Sequence, residues 1–341
     1  MRAAYLTGHG GLEVVTFGDL PMPEPKRGEV RLKMQAAALN RLDLFVRTGW
    51  SGLNLTFPHV IGSDGAGVVD SLGEDVLGLS VGDAVAVDPS IFPTVRAPNT
   101  DYENQDRIAI MGEHHSGFAA EYVCVPAKNC VKMPNGFDFQ QAAAAGLVYV
   151  TAWHSLITRG KLKAGNKVLI VGAGGGVNTA SIQIAKLSGA IIYVVGSNEE
   201  KCARATELGA DFTINREQFP QWSKEVFRLT EKLGVDFVVD NVGKDSLQQS
   251  IRSLRIGGTV LIVGGTSGYT AELPVNQIFA RQISIVGSTM GTQKDYSDVM
   301  NLIFAGKLNA VIGKVFTLEQ SQEAQATLEN FDVFGKVVLA I

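Results

Sequence analysis

One segment near the middle of the chain constrains the fold more than any other. The run KVLIV at 167–171 is apolar after its first residue, glycine fills positions 172 and 174–176, and apolar side chains then recur every three or four residues. A buried strand, a glycine turn and a helix therefore follow one another. Further apolar strands alternate with helical segments up to about residue 287. This alternation predicts a parallel sheet with helices on both faces.

The glycine turn is suited to a phosphate group. Glycine lets the backbone approach a pyrophosphate, and the N-terminus of the following helix supplies N–H groups and a positive dipole end. The spacing departs from strict G-x-G-x-x-G because Asn178 stands at the last position, and a tight turn without a ligand is the alternative. In this strand–turn–helix context we predict dinucleotide binding. The residues expected at the pyrophosphate are Gly172, Gly174, Gly175, Gly176 and Val177.

The end of the next strand bears on the choice of dinucleotide. NAD sites usually place a carboxylate there to bind the ribose hydroxyls, whereas this chain has Ser197 and Asn198. Lys201, Arg204 and Arg216 could supply positive charge to a 2′-phosphate. We therefore predict NADP, with NAD as the less favoured cofactor. Ser197 also forms an S-x-x-E capping box with Glu200, so it could simply cap the helix.

The first 135 residues have a different sequence pattern. Short β-branched runs at 29–34, 66–71, 84–87 and 119–125 are separated by proline and glycine, which predicts a β-rich domain. Residues 88–113 are polar and weakly periodic, so we expect an irregular lobe there.

Composition excludes several classes of protein. The net charge is −4 and no block of five like charges occurs, so a nucleic-acid partner is not indicated. No apolar stretch reaches 18 residues, and the N-terminus lacks the apolar core of a signal peptide, so no membrane partner is predicted. Three cysteines are too few for a disulfide framework. These features predict a cytoplasmic protein.

Several motifs in a fixed order support a more specific interpretation. They are PHVIGSDGAGVVDSLG, GFAAEYVCVP, GAGGGVN, DFVVDNVG, GGTVLIVGGTSG and FGKVVLAI. Together they resemble the medium-chain dehydrogenase/reductase family, the group of zinc alcohol dehydrogenases and quinone oxidoreductases. The resemblance implies a β-rich GroES-like catalytic domain at 1–150 and 288–341, a Rossmann domain at 151–287, an active site in the cleft between them, and a homodimer or homotetramer.

The positions that match the family's catalytic zinc ligands carry the wrong residues for zinc. They are Asn40, Ser63 with Asp64, and Leu147, and these cannot supply the thiolate and imidazole donors that zinc prefers. The lobe at 88–113 also lacks the four cysteines of the family's structural zinc. We therefore predict a chain without zinc.

Without a Lewis acid, hydride transfer is easiest onto an acceptor that delocalises its own negative charge. The resemblance to zinc-free members extends to the N-x-x-D motif of Asn40 and Asp43. We predict reduction of a small quinone or α,β-unsaturated carbonyl by NADPH. Asn40 is the candidate donor to the substrate oxygen, or else an amide that satisfies local groups. Ser63 and Asp64 line the former metal position, where Asp64 could hold a water or anchor Arg41.

Other site residues follow from the same resemblance. Tyr149 and Thr151 should lie beneath the nicotinamide, where either could donate a proton or a hydrogen bond. Asn241 ends a strand at the ligand-binding edge of the sheet. The loop expected at the nicotinamide comprises Gly264, Gly265, Thr266 and Ser267. A zinc-independent alcohol or aldehyde dehydrogenase and a non-catalytic NADPH-binding sensor are the rival functions.

Overall fold

The computed structural model describes residues 1–92, 108–331 and 333–341 of the chain. Contacts within the chain divide it into two units. Unit 1 comprises Met1–Leu147 and Thr292–Ile341, and unit 2 comprises Val148–Gly291. The boundaries predicted from the sequence fall after residues 150 and 287.

The regular elements are numbered in chain order. The strands are β1 (Arg2–Leu6), β2 (Val15–Asp19), β3 (Glu29–Leu39), β4 (His59–Val60), β5 (Asp64–Leu72), β6 (Ala84–Val87), β7 (Ser90–Ile91), β8 (Ala109–Ile110), β9 (Tyr122–Pro126), β10 (Cys130–Lys132), β11 (Lys167–Val171), β12 (Ile191–Gly196), β13 (Phe212–Asn215), β14 (Val235–Asp240), β15 (Leu254–Ile262), β16 (Ser284–Gly287), β17 (Ile312–Thr317) and β18 (Lys336–Ala340). The helices are α1 (Arg41–Thr48), α2 (Phe139–Trp153), α3 (Gly176–Leu187), α4 (Glu199–Glu207), α5 (Trp222–Leu229), α6 (Leu247–Ser253), α7 (Val275–Ala280), α8 (Gln293–Phe304) and α9 (Ser321–Glu329).

Unit 1 is built on a seven-stranded sheet. Its order is β10-β6-β5-β3-β18-β17, with β9 also paired to β3. The central strand β3 is antiparallel to β5 and β18, and it pairs Ala38 with Asp64 and Leu39 with Val337. Asn40 comes directly after β3, and Lys336 begins β18. This register brings polar residues at the ends of three neighbouring strands to the same end of the sheet.

The core of unit 1 holds these strand ends in place. Leu32, Met34, Phe118, Val125 and Leu339 belong to one apolar cluster and are at most 1% exposed. Full burial of such a side chain contributes roughly 1.5–3 kcal/mol. A smaller antiparallel sheet, in the order β2-β1-β4, belongs to the same unit. The polar strand ends therefore project from a tightly packed scaffold.

The sheet of unit 2 is parallel throughout, in the order β13-β12-β11-β14-β15-β16. This is the 3-2-1-4-5-6 order of doubly wound dinucleotide folds. The central strand β11 is apolar because helices cover both faces of the sheet, and Val168, Leu169 and Ile170 are fully buried. The predicted α/β class, with a GroES-like domain and a Rossmann domain, is confirmed.

Some helices were not predicted from the sequence. The residues before 135 include α1, which is only eight residues long. The helix α2 also lacks an amphipathic signal because it is apolar on all sides, with Ala142, Ala143, Ala144 and Ala145 at most 1% exposed. After residue 290 the sequence pattern predicts one helix, whereas the structure has two, α8 and α9.

The lobe expected at 88–113 lies largely outside the described residues, which omit 93–107. At its described ends β7 pairs with β8, so that Ser90 faces Ile110. Within the described part of the chain, every helix is too short or too polar to cross a lipid bilayer.

Candidate active site

Five buried polar residues meet at the strand ends of unit 1. We call this group the strand-end network; its members are Asn40, Asp43, Ser63, Asp64 and Lys336. None of the five is more than 6% exposed. Because burial deprives polar groups of water, each must find its hydrogen-bond partners within the protein. The partners that they find determine what the network can do chemically.

The side-chain amide of Asn40 is fully engaged within the network. Its Nδ2 donates to Ser63 Oγ at 2.9 Å and to Asp64 Oδ2 at 2.7 Å. Its Oδ1 accepts from Lys336 Nζ. An amide nitrogen carries two protons, so both are used. The role of Asn40 as a substrate donor stays a prediction, and it would require one of these bonds to break.

Asp43 ties the beginning of α1 to the network. Its carboxylate accepts the backbone N–H of Asn40 at 2.7 Å, the backbone N–H of Gly62 at 2.7 Å and the hydroxyl of Ser63 at 3.0 Å. Burial raises the pKa of Asp43 to about 6, although these bonds and the Lys336 charge oppose the shift. The structure therefore places Asp43 as the group that orients Asn40 and Ser63.

Asp64 forms a buried ion pair with Lys336. The Lys336 ammonium lies 2.9 Å from Asp64 Oδ2, and the two side chains are 3% and 0% exposed. Asp64 Oδ1 accepts the backbone N–H of Leu147 at 2.5 Å. The suggestion that Asp64 anchors Arg41 was wrong, because Arg41 donates to the carbonyl of Leu328 instead.

Sequence reasoning missed the part of Lys336 in this network. The residue stands at the start of the apolar run GKVVLAI, 296 residues after Asn40. A lysine at the head of a buried strand is itself a signal, because lysine is almost never fully buried unless it is paired. Its partner, however, could be identified only from the register between strands.

The residues at this site do not fit a zinc ion. The four positions that match metal ligands by resemblance do come together, since Asn40, Ser63 and Leu147 each contact another of the four through a hydrogen bond. The groups that these positions present are an amide, a hydroxyl, a carboxylate already paired with an ammonium, and a backbone N–H. Zinc prefers thiolate and imidazole ligands. The described residues contain no group of three or more His, Cys, Asp or Glu side chains placed to hold a metal.

Tyr149 and Thr151 lie in the part of α2 that belongs to unit 2. Tyr149 is 1% exposed, and its hydroxyl accepts a hydrogen bond from Gln183 Nε2 at 2.8 Å. Burial raises the pKa of Tyr149, which makes the phenol a poor acid. Thr151 is also buried, with its hydroxyl 4.0 Å from the sulfur of Met290. Their predicted roles at the nicotinamide stay predictions.

The glycine turn of unit 2 has the shape that a pyrophosphate needs. Gly172 has φ of +106°, in the region that favours glycine. Gly175 precedes α3, and a Cβ there would lie 2.5 Å from Asn178 Oδ1. The turn therefore keeps its backbone bare at the N-terminus of a helix of 12 residues. These features fit a dinucleotide, with Gly174, Gly176 and Val177 in the same turn.

Asn178 fills the position of the missing third glycine. Its Nδ2 donates to the carbonyl of Val171 at 3.0 Å, and Asn241 Nδ2 donates to its Oδ1 at 3.1 Å. Asn178 therefore braces the turn against the end of β14. The loop after β15 joins the same edge, because Thr266 and Ser267 donate their N–H groups to the carbonyls of Asn241 and Val242. Gly264 packs directly on Asn241, and Gly265 follows it.

The end of β12 has no carboxylate on the strand itself. Asn198, rather than Ser197, caps α4, because its Oδ1 accepts the N–H of Lys201 at 2.9 Å. The capping-box interpretation of Ser197 and Glu200 was therefore wrong. The backbone N–H of Arg216 donates to Gly196 at 3.0 Å, which places the exposed Arg216 beside this strand end.

Comparisons with known proteins agree with this architecture. A model described as zinc-binding dehydrogenase matches residues 176–305, and one described as alcohol dehydrogenase GroES-like domain matches residues 26–135. A zinc-type alcohol dehydrogenase-like protein of Schizosaccharomyces pombe is 35% identical over 92% of this chain and 91% of its own length. The quinone oxidoreductase of Homo sapiens is 29% identical over 100% of this chain and 98% of its own length.

A solved structure gives the same result. The crystal structure of an NAD-dependent alcohol dehydrogenase superposes with a TM-score of 0.93 and 41% identity, covering 100% of both chains. A GroES-like unit combined with a parallel dinucleotide-binding sheet defines an oxidoreductase that uses a nicotinamide cofactor. More specifically, the chain belongs to the medium-chain dehydrogenase/reductase family.

Proposed function

We propose that this protein uses NADPH to reduce a quinone or an α,β-unsaturated carbonyl, and that it does so without zinc. The observation that carries the proposal is the strand-end network. Where zinc relatives of the family have metal ligands, this chain has an amide, a hydroxyl and a carboxylate–ammonium pair. The ammonium of this set can donate a hydrogen bond to a developing oxyanion, but the set offers no Lewis acid.

The nature of the acceptor follows from this chemistry. The bound nicotinamide supplies a hydride. A plain alcohol or aldehyde places the resulting charge on one oxygen, which a metal usually stabilises. A quinone or enone spreads the charge over a conjugated system, so hydrogen-bond donors are sufficient. The relationship to a protein named quinone oxidoreductase supports this choice.

The preference for NADPH rests on the end of β12. The strand itself ends without a carboxylate that would repel a 2′-phosphate, and Arg216 lies next to the carbonyl of Gly196. Lys201 lies in the first turn of α4. Glu199 and Glu200, also in that turn, act against the preference through their negative charge. We propose that the basic residues outweigh them.

Steady-state kinetics on the purified protein would test this function. NADPH and NADH are compared over a panel of quinones, enones, aldehydes and alcohols, with and without EDTA, and the metal content of the same sample is measured. Turnover of quinones or enones with NADPH, unaffected by EDTA, is the expected result. Stoichiometric zinc together with loss of activity in EDTA would contradict the proposal.

One observation favours a second candidate. The superposed crystal structure is named an NAD-dependent alcohol dehydrogenase, and a zinc-independent alcohol or aldehyde dehydrogenase would fit the same fold. In that case the panel would show alcohol oxidation with NAD and little quinone reduction. A non-catalytic NADPH-binding sensor would instead bind the nucleotide tightly and turn over none of the panel.

We also propose that the protein forms a homodimer or homotetramer in the cytoplasm. The last strand of the unit 2 sheet, β16, has a hydrogen-bonding edge that no strand of the described chain pairs with. Beside it in sequence, α7 carries Val275 and Phe279, which are 66% and 71% exposed. The cysteines Cys124, Cys130 and Cys202 are unpaired, as expected in a reducing compartment.

A further inference from the structure

The charge balance of the strand-end network depends on Lys336. Asp64 is completely buried, and a buried carboxylate without a partner is strongly destabilising. The ammonium of Lys336, 2.9 Å away, supplies the opposite charge. Lys336 is held in turn by β18, whose next residue, Val337, pairs with Leu39 of β3. The cation therefore has a fixed position beside Asn40 and Asp64.

The protons of the network can be counted group by group. Asn40 uses both N–H protons on Ser63 and Asp64. Ser63 uses its hydroxyl proton on Asp43. An ammonium has three protons, and within the described chain Lys336 has two acceptors, Asp64 Oδ2 and Asn40 Oδ1. Lys336 is therefore the member of the network that keeps an uncommitted donor.

The uncommitted donor of Lys336 lies beside residues that match metal ligands by resemblance. Lys336 contacts Asn40 and Asp64, two of the positions that match metal ligands in zinc relatives. A positive charge is thus present beside positions that match metal ligands by resemblance, and it is covalently attached to the chain. Unlike a metal ion, it cannot be removed by a chelator, and it presents directional N–H bonds.

We propose that the Lys336 ammonium is the electrophile of this site and that its third N–H donates to the acceptor oxygen of the substrate. This inference rests on the proposed function. When the hydride forms a C–H bond at the conjugated carbon, the electron pair of the C=C bond shifts and the oxygen gains the negative charge. The hydride would come from a C–H bond that breaks on the bound cofactor, so the cofactor would lose two electrons and the acceptor would gain them.

Lys336 remains protonated throughout this step. It stabilises the oxyanion by a charge-assisted hydrogen bond, and water supplies the proton that completes the product. Asp64, Asn40 and Asp43 act as positioning residues: Asp64 and Asn40 hold the ammonium, and Asp43 holds Asn40 and Ser63. The N-x-x-D motif therefore supports the electrophile rather than supplying it.

The test needs a variant that removes the ammonium without leaving a buried carboxylate unpaired. The double variant Lys336→Met with Asp64→Asn is neutral on both sides. Lys336→Arg keeps the charge and changes its geometry. Lys294→Met is the matched control, because Lys294 is an exposed lysine of unit 1 that pairs with Asp298. Folding is checked by thermal unfolding of each purified variant.

Two readouts follow. Turnover of a quinone and an enone should fall about 100-fold in the double variant, with the KM for NADPH unchanged, as is typical when one oxyanion donor is lost. Lys336→Arg should retain part of the activity, and Lys294→Met all of it. The second readout is the visible absorbance of 4-nitrophenol bound to the enzyme loaded with NADP⁺. An ammonium donor favours the phenolate, so the bound probe should titrate at lower pH than the free probe in the wild type.

The outcomes separate the two proposals. A folded double variant with wild-type turnover overturns the role of Lys336. The role of Lys336 is also overturned if the wild-type enzyme fails to bind 4-nitrophenol, or binds it without lowering the pH at which the probe titrates. This experiment needs no variant. If the wild type reduces neither quinones nor enones, the proposed function fails. The probe titration then still decides whether Lys336 presents an anion-stabilising donor.

Discussion

Gly146 lies so close to Asp64 that a Cβ atom at position 146 would overlap the carboxylate oxygen Oδ1. The missing side chain lets the backbone of α2 approach, so that the N–H of Leu147 donates to the same oxygen at 2.5 Å. The alanine-rich helix α2 therefore has glycine at position 146 because a side chain there would collide with Asp64 of the strand-end network.

Gly146→Ala should therefore destabilise unit 1. Alanine favours a helix over glycine by about 1 kcal/mol, but forcing a methyl group onto a buried carboxylate costs about 1–3 kcal/mol. We expect a net loss of stability and a larger loss of activity, because Asp64 must move. Chemical denaturation measures the first and turnover the second. Gly8→Ala is the control, since a Cβ there meets nothing within 4 Å. A stabilised, fully active Gly146→Ala variant would contradict this account.

Asp88 makes stability depend on pH. It is 2% exposed, its Oδ1 accepts the N–H of Ser90 at 2.9 Å, and its Oδ2 has no partner in the described chain. Burial raises the pKa of Asp88 to about 7 from 3.8. The folded state therefore holds a proton that the unfolded state releases, and this stability is lost as pH rises from about 4 to about 7.

Asp88→Asn should remove that dependence. Relative to the wild type, the variant should gain stability across this pH range, by at most about 4 kcal/mol at roughly 1.4 kcal/mol per pKa unit. The measurement is the free energy of unfolding at several pH values. Burial also raises the pKa values of Asp43 and Glu113, so these two residues should leave part of the pH dependence of stability in the variant. Asp19→Asn, at an exposed position, is the control. A difference that does not change with pH would refute the assignment.

Arg216 should contribute to the choice of nucleotide. If its guanidinium binds a 2′-phosphate, Arg216→Ala loses a charge-assisted hydrogen bond of about 1.5–3 kcal/mol. The Kd for NADPH should then rise by about 10- to 100-fold, while the Kd for NADH stays the same. Isothermal titration calorimetry measures both. Lys224→Ala, an exposed substitution on α5 of unit 2, should change neither. Equal weakening of both nucleotides would argue against a phosphate contact.

The exposed apolar residues of unit 2 should mediate self-association. Phe279 is 71% exposed and lies in α7, the helix that precedes β16, the last strand of the sheet. Phe279→Asp should lower the mass measured by light scattering from that of an oligomer toward that of a monomer, since charge opposes burial of this surface. Phe219→Asp is the matched control, because Phe219 is another exposed phenylalanine of unit 2. A monomeric wild type would exclude the oligomer.

Local sequence patterns predicted the central strand of unit 2, although not β13 or α7. Strand β11 was predicted with its observed bounds, and the glycine turn and α3 follow it as expected. The reason is that a parallel sheet buries whole strands, so each strand is visible as an apolar run. The patterns failed at α2, where a helix buried on every side has no amphipathic period.

The chain by itself thus determined the class of fold, the dinucleotide turn and the residue types at positions 40, 63 and 64, because these follow from periodicity and motif. Only the tertiary structure decided that Lys336 joins Asn40 and Asp64, and that Asn40 has no proton left to offer. Those facts depend on the register of three strands that are remote in sequence. A hydrogen-bond count becomes possible only when every partner has a position in space.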